Sequence, residues 1–438
     1  MNRQNLEINV HHITRVEGHG NIVVNMRDGK LETCHFEVVE APRYIEAMLR
    51  GRSWYEAALI TSRICGICSI GHQMASLQAT EASLGIPVSE QTSALRRLLV
   101  DGATLSSHIL HVLFLAAPDA LGVPSAFALI DKNFHAVEIA LKTKRLANDL
   151  CDYIGGRMIH PITCVPGGFT KLPTVEGLKE FRTRLEKEML PMLFEVADIL
   201  YSVVGAFPAF TRETEFISLK NEKEYALYDG KIASTEDNLK AVNDYLSVTN
   251  ETIVPHSSAK HCHNKRTSYM VGALARVNNN YDQLSKTAKQ VAERFGLKPV
   301  TCNPYLNNVA QLVECVHSTE TAIARIDELI ARGITPETPP REWKTKGGRG
   351  VGATEVPRGI LFHDYTYDHT GRIVKANCII PTNQNFANID DDMKALVPFL
   401  LEKDTPVDTM RLNLEMLVRA YDPCISCSVH LVDLSAKE

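Results

Sequence analysis

Two Cys-x-x-Cys pairs stand at opposite ends of this 438-residue chain, Cys65-Gly66-Ile67-Cys68 and Cys424-Ile425-Ser426-Cys427. Two residues between cysteines let both sulfurs face one point from a turn or a helix start, which is chelating geometry. Four converging thiolates favour a soft or borderline metal such as zinc, nickel or iron. A zinc ribbon joins its pairs through a short loop, whereas here more than 350 residues intervene. A metal shared by the two pairs would therefore tie together the ends of a large folded body. On spacing alone a structural zinc clamp is the favoured reading, with two unrelated buried pairs as the other.

The chain is 45% hydrophobic and 23% charged, ordinary for a globular protein with a sizeable core. Its length admits one large domain or two to three smaller ones. A net charge of −5 gives no global pull toward nucleic acid or an acidic membrane. The first seven residues, Met1 to Glu7, hold no apolar core of a secretory signal. No uncharged apolar run reaches about 18 residues, so no membrane span is expected. Eleven cysteines at irregular spacings, without a signal, read as reduced thiols, and a cytoplasmic location is expected. Seven of them, Cys34, Cys151, Cys164, Cys262, Cys302, Cys315 and Cys378, lack chelating spacing and read as buried, inert thiols. Gly350-Val351-Gly352 lacks a third glycine and a strand–helix context, so nucleotide binding is rejected, and nothing here binds NAD or flavin.

The beginning reads as β, with strands over Asn21–Met26 and Lys30–Val38 joined through Asp28-Gly29. Helices dominate afterwards. Ser53 with Glu56 makes a capping box for a helix running toward Arg63, and a second helix starts near Cys68 and stops before Gly85. Helical patterns follow over Glu90–Ala116, Ala126–Ile154, Val175–Val204, Thr235–Leu246 and Asn280–Phe295. The glycine-rich, basic stretch from Lys344 to Gly352 reads as a loop, and a helix over Val407–Arg419 delivers the last cysteine pair. The expected fold is mainly α-helical with a small N-terminal β-region (α+β), in one domain. Its parts are a β-rich start at about 7–40, a helical body at about 41–421, a metal-binding segment at 422–430 and a short tail at 431–438.

The residues around the cysteines narrow the reading. Arg63-Ile64-Cys65-Gly66-Ile67-Cys68 has the form R-x-C-G-x-C, and Asp422 to His430 has the form D-P-C-x-x-C-x-x-H. Thr14-Arg15-Val16-Glu17-Gly18-His19, Glu355-Val356-Pro357-Arg358-Gly359-Ile360-Leu361 and Asn377-Cys378-Ile379-Ile380-Pro381-Thr382 add three more motifs. In all five the chain resembles the large subunit of nickel–iron hydrogenases, from about residue 11 to 430. The resemblance implies that fold and an enzyme interconverting H2 with two protons and two electrons. A quinone-reducing subunit of complex I type would share the fold but lack the nickel cysteines.

The resemblance also implies roles. Cys65 and Cys424 would be terminal nickel ligands, and Cys68 and Cys427 would bridge nickel to an iron carrying CO and cyanide. H2 would split heterolytically, the proton leaving by Cys424 and then Glu17. A carboxyl group suits that task because burial can raise its pKa, although the commoner fate of such a glutamate is the surface. Glu46, the Cys378 carbonyl and His430 would hold Mg2+ or Fe2+; without the resemblance Glu46 reads as part of a solvated helix face. Arg358, otherwise an ordinary arginine, would lie over the open metal face, paired with Asp422 and bonded to one cyanide. Pro381 and Thr382 would lie at the other cyanide. His72, one helical turn after Cys68, can reach back to the bridging sulfur or be a satisfied core histidine; His108 and His111 are similar but vaguer. Ser107 stands where some members carry an aspartate, as in the cytosolic multisubunit branch. With no second cysteine set for iron–sulfur clusters, electrons would leave through an iron–sulfur small subunit, with further flavin or iron–sulfur electron-transfer subunits beyond it. The eight residues Leu431–Glu438 extend past the usual mature end, and the need to draw His430 inward favours their removal after metal loading.

Overall fold

The computed structural model describes residues 5–131 and 133–429; the expectations for His430 and for the tail lie outside them. Strands Leu6–Val10, Gly20–Arg27 and Lys30–Val38 form an antiparallel sheet in chain order. Asp28 and Gly29 both have positive φ, 48° and 74°, as a two-residue hairpin turn of the right twist requires. Alternate side chains Ile22, Val24 and Met26 are buried, the period-two pattern of a sheet with one covered face.

Several helices stand where periodicity places them. Ser69–Leu84 stops at Gly85, whose φ of 68° ends the helix in the left-handed region. Glu90–Ile109 starts at Ser89, whose side chain accepts the Thr92 N–H, and runs into a wider π-turn over Leu110–Ala116. Val175–Arg184 and Leu190–Val203 form the expected long helix, joined by a π-turn over Leu185–Met189. Val407–Ala420 delivers the second cysteine pair.

Other elements differ from expectation. The helix after residue 126 begins only at Phe134, capped by Asn133; Ala126–Leu129 is a short 3-10 turn. Thr235–Leu246 is not a helix. There Ser234 and Asp237 side chains take the N–H groups of Glu236 and Asn238, diverting them from helical bonds. Only Val242–Asp244 and Leu246–Thr249 turn helically. Asn280 ends a helix, Ala273–Asn280, and the next runs from Lys286 to Arg294. Two long helices lacked any sequence expectation, Asn307–Arg332 and Pro381–Glu402. The β-structure also extends beyond the N-terminus, into sheets at Glu215–Met270 and Gly348–Ile379.

The largest correction falls in the stretch Lys344–Gly352 read as a loop: residues 344–347 are irregular as expected, but the strand begins at Gly348. Gly348–Val356 is an edge strand, antiparallel to Gly359–Tyr367, which pairs in turn with Ile373–Ile379. Glycines 350 and 352 lie two apart, so both face the Ser69–Leu84 helix. A Cβ on Gly350 would sit 2.3 Å from the Ala79 carbonyl oxygen, and one on Gly352 would sit 2.1 Å from that of Ala75. The glycines let strand backbone lie directly on helix backbone. On the helix side, a Cβ on Gly71 would fall 2.1 Å from Val356. This contact fixes the spacing between Cys68, at the start of that helix, and Arg358, just past the strand.

Two helices are long and apolar enough to cross a membrane by length and composition, Glu90–Ala120 and Val175–Ala206. Each carries charges that interrupt an unbroken apolar run, which is why the sequence showed no such stretch. In the first, Arg96 pairs with buried Glu81 and Asp101 with Arg325, so its charges are neutralised inside this chain.

Gly352→Ala should destabilise the protein by about 1–3 kcal/mol through forced separation of strand and helix. Chemical denaturation of the purified protein reads this directly; an unchanged midpoint would show that the two backbones have room to part.

Candidate metal centre

The four cysteine sulfurs meet in one buried cluster, all within 4.8 Å of one another. Cys65 Sγ lies 3.4 Å from Cys424 Sγ, and Cys424 Sγ lies 2.8 Å from Cys427 Sγ. The Ile67 and Cys68 N–H groups donate to Cys65 Sγ at 3.2 and 3.4 Å, the inward-facing amides of a tight Cys-x-x-Cys turn. Cys68 stands at the N-cap position of the Ser69–Leu84 helix, whose N-terminal dipole favours an anionic sulfur. Bonds from Cys424, Cys427 and Cys65 hold the Cys68 thiol well below its ordinary range. The Cys424 and Cys427 thiols are pushed up, the first chiefly by its bond with Cys427 and the second chiefly by burial. The other buried cysteines are different. Burial pushes Cys34, Cys151 and Cys164 up to about 12, keeping them protonated and inert.

Glu17 reaches the cluster through the backbone. Its carbonyl accepts the Ile425 N–H at 2.9 Å and its N–H donates to the Pro423 carbonyl at 3.4 Å, a parallel bridge beside Cys424. Its half-buried carboxylate accepts both the N–H of Ser426, at 3.1 Å, and the Ser426 hydroxyl. The carboxylate thus sits on the residue between Cys424 and Cys427. Gly18 permits this approach: its φ is 87°, and a Cβ there would fall 2.8 Å from Ile425 Cβ.

Arg358 is buried and donates from Nη2 to Asp422 Oδ1 and from Nε to the Asp422 carbonyl, both at 2.6 Å. Burial opposes its charge, but Asp422 and the sulfurs of Cys424, Cys68 and Cys65 outweigh that and hold its pKa above the ordinary value. Its Nη1 reaches Ser107 Oγ at 3.3 Å, where a neutral hydroxyl leaves the Asp422 pair as its anionic partner. Thr382 Oγ1 accepts the Cys424 N–H at 3.1 Å, leaving its own proton free to donate. Pro381 opens the helix that carries it, a position where a missing N–H costs nothing. His72 Nδ1 lies 3.1 Å from His363 Nε2, while its Nε2 is buried with no hydrogen-bond partner. Glu46 Oε1 accepts the Cys378 N–H at 2.7 Å; this joins the two residues, though through the amide and not the carbonyl.

Residues that sequence reasoning passed over hold these in place. Gln311 donates to Asp422 Oδ2 at 3.1 Å and meets His111 Nδ1 at 2.5 Å. His111 Nε2 also lies 2.7 Å from the Arg419 carbonyl. Three residues on, Glu314 makes two 2.6 Å bonds with buried Arg276 and one of 2.7 Å with His108. Arg276 continues to Glu355 at 2.9 Å and to the carbonyls of Val356 and Pro357, at 2.9 and 3.0 Å. Gln311 and Glu314 share one face of the Asn307–Arg332 helix, so a single helix sets both partners of the Arg358–Asp422 pair. The signal available was a run of polar residues in an apolar helix, Asn307, Asn308, Gln311 and Glu314, all buried.

A family model described as nickel-dependent hydrogenase matches residues 43–149 and 210–430, and a HoxL-like model matches residues 7–41. The chain belongs to the nickel-dependent hydrogenase large-subunit family. Members of that family are oxidoreductases acting on H2. The alpha subunit of sulfhydrogenase 1 from Pyrococcus furiosus is 36% identical over 98% of this chain and 99% of its own. The beta subunit of the NAD-reducing hydrogenase HoxS from Cupriavidus necator is 27% identical over 95% of this chain and 93% of its own. Among solved structures, an NAD+-reducing [NiFe]-hydrogenase in the H2-reduced state superposes with a TM-score of 0.85 at 25% identity, covering 97% and 99% of the two chains. A [NiFeSe] hydrogenase variant from Desulfovibrio vulgaris Hildenborough shares the fold with a TM-score of 0.76 at 22% identity, covering 97% of this chain and 100% of that one. The four-thiol donor set, buried and electron-rich, fits a nickel–iron centre of this hydrogenase family.

Glu314→Ala should cost about 3–5 kcal/mol of stability, because it leaves Arg276 buried with half its counter-charge. Urea denaturation of wild type and variant measures the difference. Equal midpoints would mean that the Arg276 network does not hold the strand end carrying Arg358.

Proposed function

We propose that the chain is the catalytic large subunit of a [NiFe] hydrogenase, interconverting H2 with two protons and two electrons. The observation that carries the reading is the convergence of Cys65, Cys68, Cys424 and Cys427 beside a buried Arg358–Asp422 pair. Cys65, Cys68, Cys424 and Cys427 would together hold nickel and an iron carrying CO and cyanide. The metal pair would supply redox-active binding of H2.

Around it the chain's own residues divide the work. Arg358 keeps a fixed positive charge against the thiolates and offers planar donors to an anionic iron ligand. Thr382, with Pro381 at the start of a long helix, offers a hydroxyl proton and a positive dipole end to a second such ligand. His72 has Nε2 available for the Cys68 sulfur. Cys424 would hold a proton at its sulfur, and Glu17, held by Ser426 beside it, would take that proton outward. Glu46 and Cys378, with His430, would hold Mg2+ or Fe2+.

Electrons leave through other chains in this proposal. Among the described residues the cysteines form one cluster, consumed by nickel and iron. An iron–sulfur small subunit is therefore the first acceptor, with flavin or iron–sulfur subunits beyond it. Subunit names among the relatives, alpha and beta, support a multisubunit assembly. A cytoplasmic location is supported by the seven free thiols outside the cluster. The single-domain organisation is supported by the largest core cluster, which takes in residues from Ile8 to Val429.

Infrared bands of CO and cyanide, with nickel and iron in the purified complex, are the expected result; zinc alone would overturn the reading. Cys424→Ser should abolish activity by replacing a soft ligand with a hard one. In Glu17→Gln the metals should remain and para/ortho-hydrogen conversion should survive, while H/D exchange with solvent is lost. Exchange at the wild-type rate would remove Glu17 from the proton path.

A further inference from the structure

We propose that His256, His261 and Asp390 form a second metal site, for a divalent ion of the zinc type, that braces the N-terminal sheet against the Pro381–Glu402 helix. The three side chains offer ligand atoms within 4.8 Å of one another and share no residue with the four-cysteine cluster. His256 Nε2 already lies 3.2 Å from Asp390 Oδ2. Ligands about 2.0–2.2 Å from one ion stand ~3.4 Å apart in a tetrahedron, so the side chains need only draw together slightly.

An ordinary His256–Asp390 pair explains two of the three residues but not His261. That residue is 8% exposed, and its Nε2 is buried with no hydrogen-bond partner. Leaving such a nitrogen unpaired costs about 1–3 kcal/mol, and a metal bond would remove the cost. Its backbone is fixed by paired bonds with Thr252, at 2.7 and 2.8 Å, so the ring is held in place from behind.

The surroundings are those of an oriented ligand set. Asp390 Oδ1 accepts the Phe36 N–H at 2.7 Å, which aims Oδ2 at His256. His35 stacks on the His256 ring, centroids 4.2 Å apart, and is itself 3.2 Å from Glu37. The neighbouring Asp391 is matched by Lys394 at 3.6 Å, so Asp390 leaves the cluster one negative charge to receive a cation. A cavity of about 250 Å³ beside the three residues gives room for water at the remaining position. Two imidazoles and a carboxylate suit zinc, with other first-row divalent ions competing by availability.

The position makes the site a brace. Asp390 lies eight residues after Thr382, about 12 Å along the same helix. Through Phe36 it joins the first sheet, and the loop carrying His256 is tied to that sheet by Ser258, which bonds to the Val38 and Glu40 carbonyls at 3.1 and 2.8 Å. An ion here would fasten sheet, loop and helix at one point, and steady the helix whose first turn contacts Cys424.

The test uses the purified complex with its nickel in place, washed with a chelator and titrated with Zn2+ and, separately, Co2+. One equivalent per large subunit beyond any held by Glu46, Cys378 and His430 is expected, with a Co2+ ligand-field spectrum of nitrogen and oxygen ligands and a higher melting temperature. Asp390→Asn, which keeps an acceptor for Phe36, and His261→Gln should each weaken Zn2+ binding by more than ~100-fold with nickel content unchanged. Absence of the Co2+ spectrum in wild type overturns the proposal even if a variant fails to assemble. So does retention of the extra equivalent in both variants. Nickel is measured separately, so either result leaves the hydrogenase reading standing.

Discussion

The thiol cluster imposes one demand on the whole molecule: residue 65 and residue 424 must meet to within the diameter of a metal ion's ligand shell. Closing a loop of 359 residues costs about 5 kcal/mol of chain entropy before any strain is counted. Metal binding can offset that only if the fold already delivers the sulfurs to one place. The structure does so with two kinds of anchor. The Glu17 backbone pairs with Pro423 and Ile425, tying the start of the chain to its end beside Cys424. Arg358, from the sheet, clamps both the side chain and the carbonyl of Asp422 two residues earlier.

Those anchors depend on deeper ones. Arg358 is useful only if the end of its strand is fixed, and that end is held by the buried Arg276, whose charge is shared by Glu314 and Glu355. Buried ion networks add little net stability, because desolvation consumes most of their attraction. Their contribution here is position. A guanidinium that must satisfy two carboxylates and two carbonyls admits one placement of residues 355–357, and hence of Arg358. The same helix that carries Glu314 presents Gln311 to Asp422, so the two halves of the pair over the cluster are set from one rigid element.

Polar helices in the interior also explain where sequence reasoning went astray. Asn307–Arg332 and Pro381–Glu402 bury amides, carboxylates and hydroxyls along with apolar residues, so neither shows a clean apolar stripe. Thr235–Leu246 has an acceptable stripe, yet its serine and aspartate side chains capture the amides a helix needs. The glycines at 350 and 352 read as loop formers, although their role is to let a strand lie on a helix without intervening side chains.

The sequence by itself determined the candidates: the four cysteines, Glu17, Arg358, Asp422 and Thr382 are legible because each lies in a short motif shared with the large subunit of nickel–iron hydrogenases. The hairpin at Asp28-Gly29, the helix stop at Gly85 and the last helix were legible because turn and cap geometry is local. What tertiary structure decided was the company those residues keep. Ser426 on Glu17, Gln311 on Asp422, His363 on His72 and Arg276 beneath Arg358 are contacts between residues distant along the chain. No local periodicity encodes such pairs, because they arise only when separate elements are packed together, and burial then makes each unpaired polar group costly enough to select one arrangement.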